Sequence, residues 1–272
     1  MDMITAQGMR MPKLGLGTWA MKGDECTAAV AGALSLGYRH IDTAEMYANE
    51  EAVGAALRAT KVARADIHLT TKVWNENLAP DALRRAFEAS LLRLQVEYVD
   101  LYLIHWPSPT MDLPKALAEL TRLKNEKLVR AIGVSNFTVA LMRQAIEQAG
   151  APIACNQIEY HVLLDQTKVI EYARSKGVGI TAYCPLARGG LGKYPALAAI
   201  ARKHGATAEQ VALKWLLDQD GVGAIPKASR PENQQANLDC LKLRLDDADR
   251  AEIARLPKEG RIVSPAFAPA WD

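Results

Sequence analysis

The chain has 272 residues, 49% hydrophobic and 24% charged, with 33 basic against 31 acidic side chains and a formal charge of +2. That balance excludes a disordered or collagen-like chain, and the interspersed signs leave no basic stripe for nucleic acid. No apolar run approaches the roughly 18 residues of a membrane-spanning helix, and the N-terminus lacks a basic-then-apolar secretory pattern, so a cytoplasmic protein is expected.

Short apolar or β-branched runs alternate along the chain with longer stretches of helical periodicity. A strand is predicted at 14–17 and a helix at 27–36, then a strand at 38–41 and a helix at 51–59. Strand 67–71 precedes helix 79–94, where Leu83, Ala86, Phe87, Leu91 and Leu94 recur at helical spacing. Strand 99–104 and helix 113–124 follow, then strand 129–134 and helix 139–149, then strand 154–158 and helix 166–176. Strand 178–182 leads to helices 195–204 and 208–217, and strand 222–225 to helices 231–238 and 247–256. Gly37, Gly150, Gly177 and Gly205 stand just past helical runs, where a glycine can close the last turn.

Strands alternating with helices imply a parallel sheet. The run Val99-Asp100-Leu101-Tyr102-Leu103-Ile104 is nearly all apolar, as a strand covered on both faces requires. Eight such units over most of the chain fit a closed (β/α)8 or TIM barrel, typically about 250 residues long. Residues 1–272 are therefore read as one barrel domain ending in a short tail, 257–272. A doubly wound sheet is the alternative. Cys26, Cys155, Cys184 and Cys240 are far apart and are expected to be free thiols.

Two glycine-rich segments invite nucleotide-binding readings. Gly15-Leu16-Gly17-Thr18-Trp19-Ala20 fits a dinucleotide fingerprint, with Asp42 further on. That motif needs its helix to begin within the glycine turn, whereas helical spacing here starts after Met21-Lys22-Gly23-Asp24, and Trp19 would crowd a phosphate. Arg188-Gly189-Gly190-Leu191-Gly192-Lys193 resembles a phosphate loop, but Ala187 and Tyr194 replace the glycine and hydroxyl it needs, so a flexible loop is expected. The five histidines show no metal-ligand spacing, and Glu159-Tyr160-His161 is too short a cluster, so no metal is expected.

In a barrel of this kind the chemistry sits at the C-terminal strand ends. Asp42 and Tyr47 follow the second predicted strand, Lys72 the third, and His105 with Trp106 the fourth. Ser135 and Asn136 follow the fifth, Asn156 and Gln157 lie on the sixth, Tyr183 ends the seventh, and Pro226-Lys227 follow the eighth. Singly, Asp42 can be a helix cap, Lys72 a solvated loop lysine and His105 a core histidine. Together, Asp42, Tyr47, Lys72 and His105 make a proton-donating set. A tyrosine near pKa 10 is a sluggish acid, an adjacent ammonium lowers that value, and a buried carboxylate holds the ammonium charged. Histidine can orient a substrate oxygen as it becomes an alkoxide. The set contains no nucleophile, so a cofactor must supply the hard step, and hydride transfer to a carbonyl fits.

The runs Gly15–Trp19, Gly37–Ala44, Leu103–Pro107, Gly133–Phe137, Asn156–Glu159 and Ile225–Lys227 resemble the aldo-keto reductases, in the order and spacing of that family and over most of the chain. Arg261-Ile262-Val263-Ser264-Pro265 and Ala270-Trp271-Asp272 are similar to the bacterial branch that reduces 2,5-diketo-D-gluconate and methylglyoxal. The resemblance implies an NADPH-dependent reductase of small aldehydes and ketones, with Tyr47 as general acid tuned by Asp42 and Lys72, and His105 orienting the carbonyl. Ser135, Asn136 and Gln157 would hold the nicotinamide carboxamide and Tyr183 would stack on its ring. Thr18, Asp42 and Leu186 would also border the cofactor, Lys227 and Arg230 would meet the 2′-phosphate, and Asn237 the adenine. Trp19, Trp74, Trp106 and His105 would wall the substrate pocket, and a monomer is expected.

The sequence departs from the family pattern at the adenosine end. Ala228 stands where a serine is usual and Asn233 where an arginine is usual. NADPH is still expected, with weaker discrimination against NADH. The short tail predicts an open pocket for small, flexible or anionic carbonyls. Competing readings are a catalytically weak NADP(H)-binding barrel that senses redox state for a partner, and a cofactor-free hydrolase or lyase using His105 and Asp42.

Overall fold

The computed structural model describes residues 2–272, and it opens with a hairpin absent from the predicted elements. Strands β1 (Met3–Ala6) and β2 (Met9–Pro12) pair antiparallel, Ile4 opposite Met11 and Ala6 opposite Met9. Gln7 and Gly8 both take positive φ, the geometry of a tight two-residue hairpin turn. Ile4, Ala6, Met9 and Met11 pack against Leu101, Leu103, Ala131, Ala154 and Cys155, so the hairpin plugs the N-terminal end of the barrel.

The repeating units follow in order: β3 (Leu16–Gly17), α1 (Gly23–Leu36), β4 (His40–Asp42), α2 (Glu50–Ala59), β5 (His68–Val73) and α3 (Pro80–Leu94). Next come β6 (Val99–Ile104), α4 (Leu113–Asn125), β7 (Val129–Ser135) and α5 (Val139–Arg143), which continues as a π-helical turn over Gln144–Gln148. The chain ends with β8 (Ile153–Glu159), α6 (Thr167–Ser175), β9 (Gly179–Tyr183), α7 (Pro195–Lys203), α8 (Ala208–Leu217), β10 (Val222–Ala224), α9 (Pro231–Asp239) and α10 (Asp247–Ala254). Helix α1 starts four residues before the predicted 27, because Gly23–Cys26 is helical without apolar periodicity. Its first-turn Asp24 and Glu25 suit the positive end of the helix dipole.

Strands β3 to β10 lie side by side in sequence order, every pair parallel. Parallel bridges from Leu14 to Ala224 and from Gly17 to Lys227 join the two edges and close the sheet into a (β/α)8 barrel. The seam needs small residues. A Cβ on Gly17 would stand 2.5 Å from the Ile225 carbonyl, and one on Gly223 would stand 2.6 Å from that of Lys13. The first glycine motif therefore closes a barrel, and Trp19 beside it is 49% exposed. The apolar run of β6 divides by parity: Leu101 and Leu103 face the barrel interior, whereas Tyr102 and Ile104 face the helices. All four cysteines are free, as expected.

Below the catalytic rim, His40 and His68 stack edge to face, 5.0 Å between ring centroids. Both are buried, and His68 Nε2 has no hydrogen-bond partner. Burial holds both imidazoles below their ordinary value, His68 well below, with His40 adding to the shift of His68. A histidine with a depressed folded-state pKa leaves stability intact above the unfolded value and removes it as pH falls below that value. The thermal midpoint is therefore expected to drop between about pH 7 and pH 5, with a shallower drop in His68→Asn. A midpoint that stays level across that interval contradicts the assignment.

Candidate active site

The C-terminal strand ends bring Asp42, Tyr47, Lys72 and His105 together. Asp42 is the last residue of β4, and Tyr47 follows in a 3-10 turn over Glu45–Tyr47. Lys72 lies on β5 and is fully buried. Its ammonium is 2.6 Å from Asp42 Oδ1, 2.8 Å from the Thr43 carbonyl and 3.4 Å from the Tyr47 hydroxyl. Burial pulls the ammonium below its ordinary pKa, and the adjacent Asp42 opposes that shift.

The lysine was expected to lower the phenol. Instead, burial first and Asp42 second push Tyr47 well above its ordinary value. With Asp42 so close, the ion pair offers the half-buried ring little net positive field. Tyr47 is thus protonated at neutral pH, as a general acid must be, and gives up its proton only to a stronger base such as an alkoxide.

His105 follows β6, buried, with Nδ1 unpartnered. Burial, and then the Lys72 charge, hold it well below the ordinary imidazole value, so the ring is neutral. It meets Tyr47 at 5.5 Å and Trp74 at 5.3 Å, both edge to face. A neutral imidazole beside the phenol can donate one hydrogen bond without competing for the proton.

Strands β7 to β9 supply an amide network. Gln157 donates from Nε2 to Asp42 Oδ2 at 2.7 Å. The Ser135 hydroxyl donates to the Gln157 carbonyl at 2.8 Å. Asn136, held at φ 62°, donates to the His105 carbonyl at 3.0 Å and accepts the Tyr183 hydroxyl at 2.7 Å. Thr18 is bound through its hydroxyl to the Asp42 carbonyl at 2.9 Å.

One cleft of about 530 Å³ opens above this network. Of the expected residues, Thr18, Trp19, Asp42, Tyr47, His105, Trp106, Asn136, Gln157, Tyr183, Leu186 and Lys227 line it. Lys72 and Ser135 lie behind that lining, Lys72 bonded to Asp42 and Ser135 to the Gln157 carbonyl. Trp74 is not among the residues that line the cleft; its ring lies 5.3 Å from that of His105 and 5.9 Å from that of Phe267. Arg230 and Asn237 also lie outside the lining. Arg230 is the exposed N-cap of α9, and Asn237 is buried on that helix.

Several residues of the site went unread in the sequence. Asn49 ties the loops after β3 and β4 together, donating to the Thr18 carbonyl at 2.9 Å and to that of Met21 at 3.0 Å, while accepting the Thr43 hydroxyl at 2.7 Å. The only hint was an Asn just before a helix. The loop dismissed as flexible contributes Arg188 and Gly189 to the cleft, with positive φ at Cys184 and from Ala187 through Gly190. A short tail was expected to leave the pocket open, but it crosses the rim. Glu159, fully buried, accepts the backbone N–H groups of Ile262 at 2.7 Å and Val263 at 2.8 Å. His161 accepts from Leu163 at Nδ1, so its Nε2 donates to the same carboxylate at 3.1 Å. Val263 then lines the cleft, Phe267 sits 5.6 Å and Trp271 6.1 Å from the Trp106 ring, and Asp272 accepts from Val139 N at 2.9 Å.

A closed (β/α)8 barrel with a Tyr–Lys–Asp–His set at the C-terminal rim belongs to a class of carbonyl oxidoreductases. The chain is a member of the aldo/keto reductase family, whose sequence profile matches residues 13–258. It is 44% identical to methylglyoxal reductase DkgB of Escherichia coli O157:H7, over 97% of this chain and all of that one. It is 39% identical to an aldo-keto reductase of Mycobacterium sp. (strain JLS), over 94% of this chain and 92% of that one. A crystal structure provisionally named 2,5-diketo-D-gluconic acid reductase B superposes with a TM-score of 0.94 at 39% identity, covering 100% of this chain and 98% of that one. Among the described residues no helix is long and apolar enough to cross a membrane.

Proposed function

We propose that this oxidoreductase uses NADPH to reduce small aldehydes and ketones, of the size of methylglyoxal or 2,5-diketo-D-gluconate, acting as a monomeric cytoplasmic barrel formed by residues 1–272. The observation that carries this reading is the hydrogen-bonded line from Asp42 through Lys72 to the Tyr47 hydroxyl, ending at a cleft beside neutral His105. The names of the relatives support the substrate size.

The residues present fit the cofactor. Helix α9 begins with Pro231 after Arg230, whose side chain does not cap it, and the Arg230 carbonyl accepts the N–H groups of Asn233 and Gln234 at 3.1 Å, so what this end offers an anion is the positive end of the helix dipole. The exposed cations Lys227 and Arg230 flank that end. Lys227 would hold the 2′-phosphate with Arg230 in support, and Asn237 would meet the adenine. Asn136 and Gln157 would hold the carboxamide, with Ser135 bracing Gln157, and Tyr183 would stack on the ring. Thr18 and Leu186 would border the cofactor.

A reduced nicotinamide, when bound, supplies the hydride. His105 donates a hydrogen bond to the carbonyl oxygen and turns it toward Tyr47. The Tyr47 hydroxyl, placed 3.4 Å from the Lys72 ammonium, then hands its proton to the developing alkoxide, whose greater basicity drives the transfer. Asp42 keeps Lys72 charged in a buried position. Trp19 and Trp106 wall the substrate side, with Trp74 behind His105.

Binding titrations with both cofactors test the nucleotide assignment. Lys227→Met is expected to weaken NADPH binding about tenfold or more and leave NADH nearly unchanged, the scale of one charge-assisted bond to a phosphate. Because Ala228 and Asn233 supply neither hydroxyl nor guanidinium, the wild type is expected to bind NADH only modestly less well than NADPH. Tighter binding of NADH than of NADPH by the wild type overturns the cofactor reading.

A further inference from the structure

Tyr47 stands on little structure of its own. It ends a single 3-10 turn, Glu45–Tyr47. The two hydrogen bonds of that turn run from Tyr47 N to the Ala44 carbonyl at 3.0 Å and from Ala48 N to the Glu45 carbonyl at 3.1 Å. Ala48, next in the chain, is held at φ 49°, in the left-handed region that a Cβ disfavours. One short turn followed by a strained residue does not hold a side chain in register by itself. Yet the proton transfer assigned to Tyr47 needs a fixed hydroxyl, because catalysis by a positioned group falls steeply when the group is misplaced.

Two side chains outside the cleft lining grip the turn from opposite sides. Glu45, at its start, reaches the loop after β5: Oε2 accepts the Trp74 N–H and Oε1 accepts from Asn77 Nδ2, both at 2.8 Å. That loop is itself closed, with Asn77 N donating to the Trp74 carbonyl at 3.0 Å, and Trp74 carries the ring that meets His105. Asn49, two residues past Tyr47, reaches the loop after β3. Its amide donates to the Thr18 carbonyl at 2.9 Å and the Met21 carbonyl at 3.0 Å, and Trp19 between them packs edge-on against the Tyr47 ring. Asn49 Oδ1 accepts the Thr43 hydroxyl at 2.7 Å, and the Thr43 carbonyl accepts the Lys72 ammonium at 2.8 Å. Asn49 is the N-cap residue of α2, where an asparagine ordinarily bonds the first amides of its own helix, but it makes no such bond. Its buried side chain is given over to the loops instead.

We propose that Glu45 and Asn49 are positioning residues that clamp the acid-bearing turn between the loops after β3 and β5, and so set the Tyr47 hydroxyl for proton transfer without touching substrate or cofactor. For its effect on turnover this inference rests on the reductase reading; the clamp itself does not.

Two measurements test the clamp and its consequence separately. The first is amide hydrogen exchange in the wild type, Glu45→Ala and Asn49→Ala. Relative to their intrinsic rates, the amides of Tyr47 and Ala48 are expected to exchange about tenfold or more faster in either variant, with those of β5 and β6 unchanged. Equal exchange at Tyr47 and Ala48 in all three proteins overturns the clamp. Faster exchange throughout the barrel overturns it too, since both residues would then serve general stability. The second is steady-state kinetics with methylglyoxal and NADPH. The kcat is expected to fall about 10- to 100-fold in Asn49→Ala and about tenfold in Glu45→Ala, with the KM for the carbonyl and the Kd and stoichiometry for NADPH nearly unchanged. Glu45→Gln keeps one acceptor and is expected to recover part of the loss. Asn49→Asp keeps the acceptor for Thr43 but sets a carboxylate oxygen against the Thr18 and Met21 carbonyls, and is expected to recover none. In the Tyr47→Phe background there is no hydroxyl to place, so neither alanine substitution should lower the residual rate further. A further loss there, a wild-type kcat in both alanine variants, or a loss matched by weaker NADPH binding overturns the positioning role. If the wild type oxidises NADPH with no carbonyl compound, the reductase reading fails, and the exchange measurement alone decides the clamp.

Discussion

Tyr47→Phe is expected to reduce turnover by a factor of about 100 to 10,000 while NADPH binds as before, since a positioned general acid contributes on that scale. The lost atom is the hydroxyl that stands 3.4 Å from the Lys72 ammonium. The ring itself is retained, so its packing on Trp19 at 5.0 Å and on His105 at 5.5 Å persists and the pocket keeps its shape. The loss should fall on kcat, because the proton is needed only as charge develops on the carbonyl oxygen. Steady-state kinetics alongside a cofactor titration check this. Near-normal kcat in the variant would assign the acid elsewhere, with His105 the next candidate.

Lys72→Met is expected to be damaging in a different way. It leaves Asp42 buried beside the Gln157 amide without its counter-ion, and breaking a buried pair from one side costs about 3–5 kcal/mol. In a chain of this size that lowers the thermal midpoint by roughly 10 °C. The double variant Asp42→Asn/Lys72→Met has no lone buried charge and should regain most of that stability while remaining inactive. Calorimetry on the single and double variants measures the coupling. A double variant no more stable than Lys72→Met shows that lost packing around the lysine, rather than the stranded carboxylate, dominates.

The same positions show how far the sequence could be read. Asp42, Tyr47, Lys72 and His105 are legible because each is a polar residue at or just after a predicted strand end, where a barrel gathers its chemistry. The eight strands are legible because alternation of apolar runs with helical periods is a local signal. The hairpin at Met3–Ala6 and Met9–Pro12 went unread because its turn, Gln7-Gly8, is a weak marker and its strands are short. The tail could not be read, since Glu159 meets Ile262 across 103 residues of chain and no periodicity couples them. The sign of the Tyr47 shift was missed for a related reason. The sequence puts Lys72 next to the phenol but does not reveal that Asp42 sits closer to the lysine than the phenol does.

The aromatic seam of the tail changes the picture of the pocket. Phe267 lies edge-on between Trp74 and Trp106, and Trp271 lies against Trp106 and under Arg261. Glu159 at one end and Val139 at the other pin the sixteen residues of the tail across the rim, and Val263 among them lines the cleft.

The most direct measurement of the central claim is label transfer. NADPH carrying deuterium at both hydrogens of the nicotinamide C4 position is mixed with the wild-type protein and methylglyoxal, and the product is examined by mass spectrometry and NMR. The account predicts an alcohol carrying one deuterium on the former carbonyl carbon, with oxidation of NADPH in equal amount. Intact NADPH, or a product without label at that carbon, would contradict it.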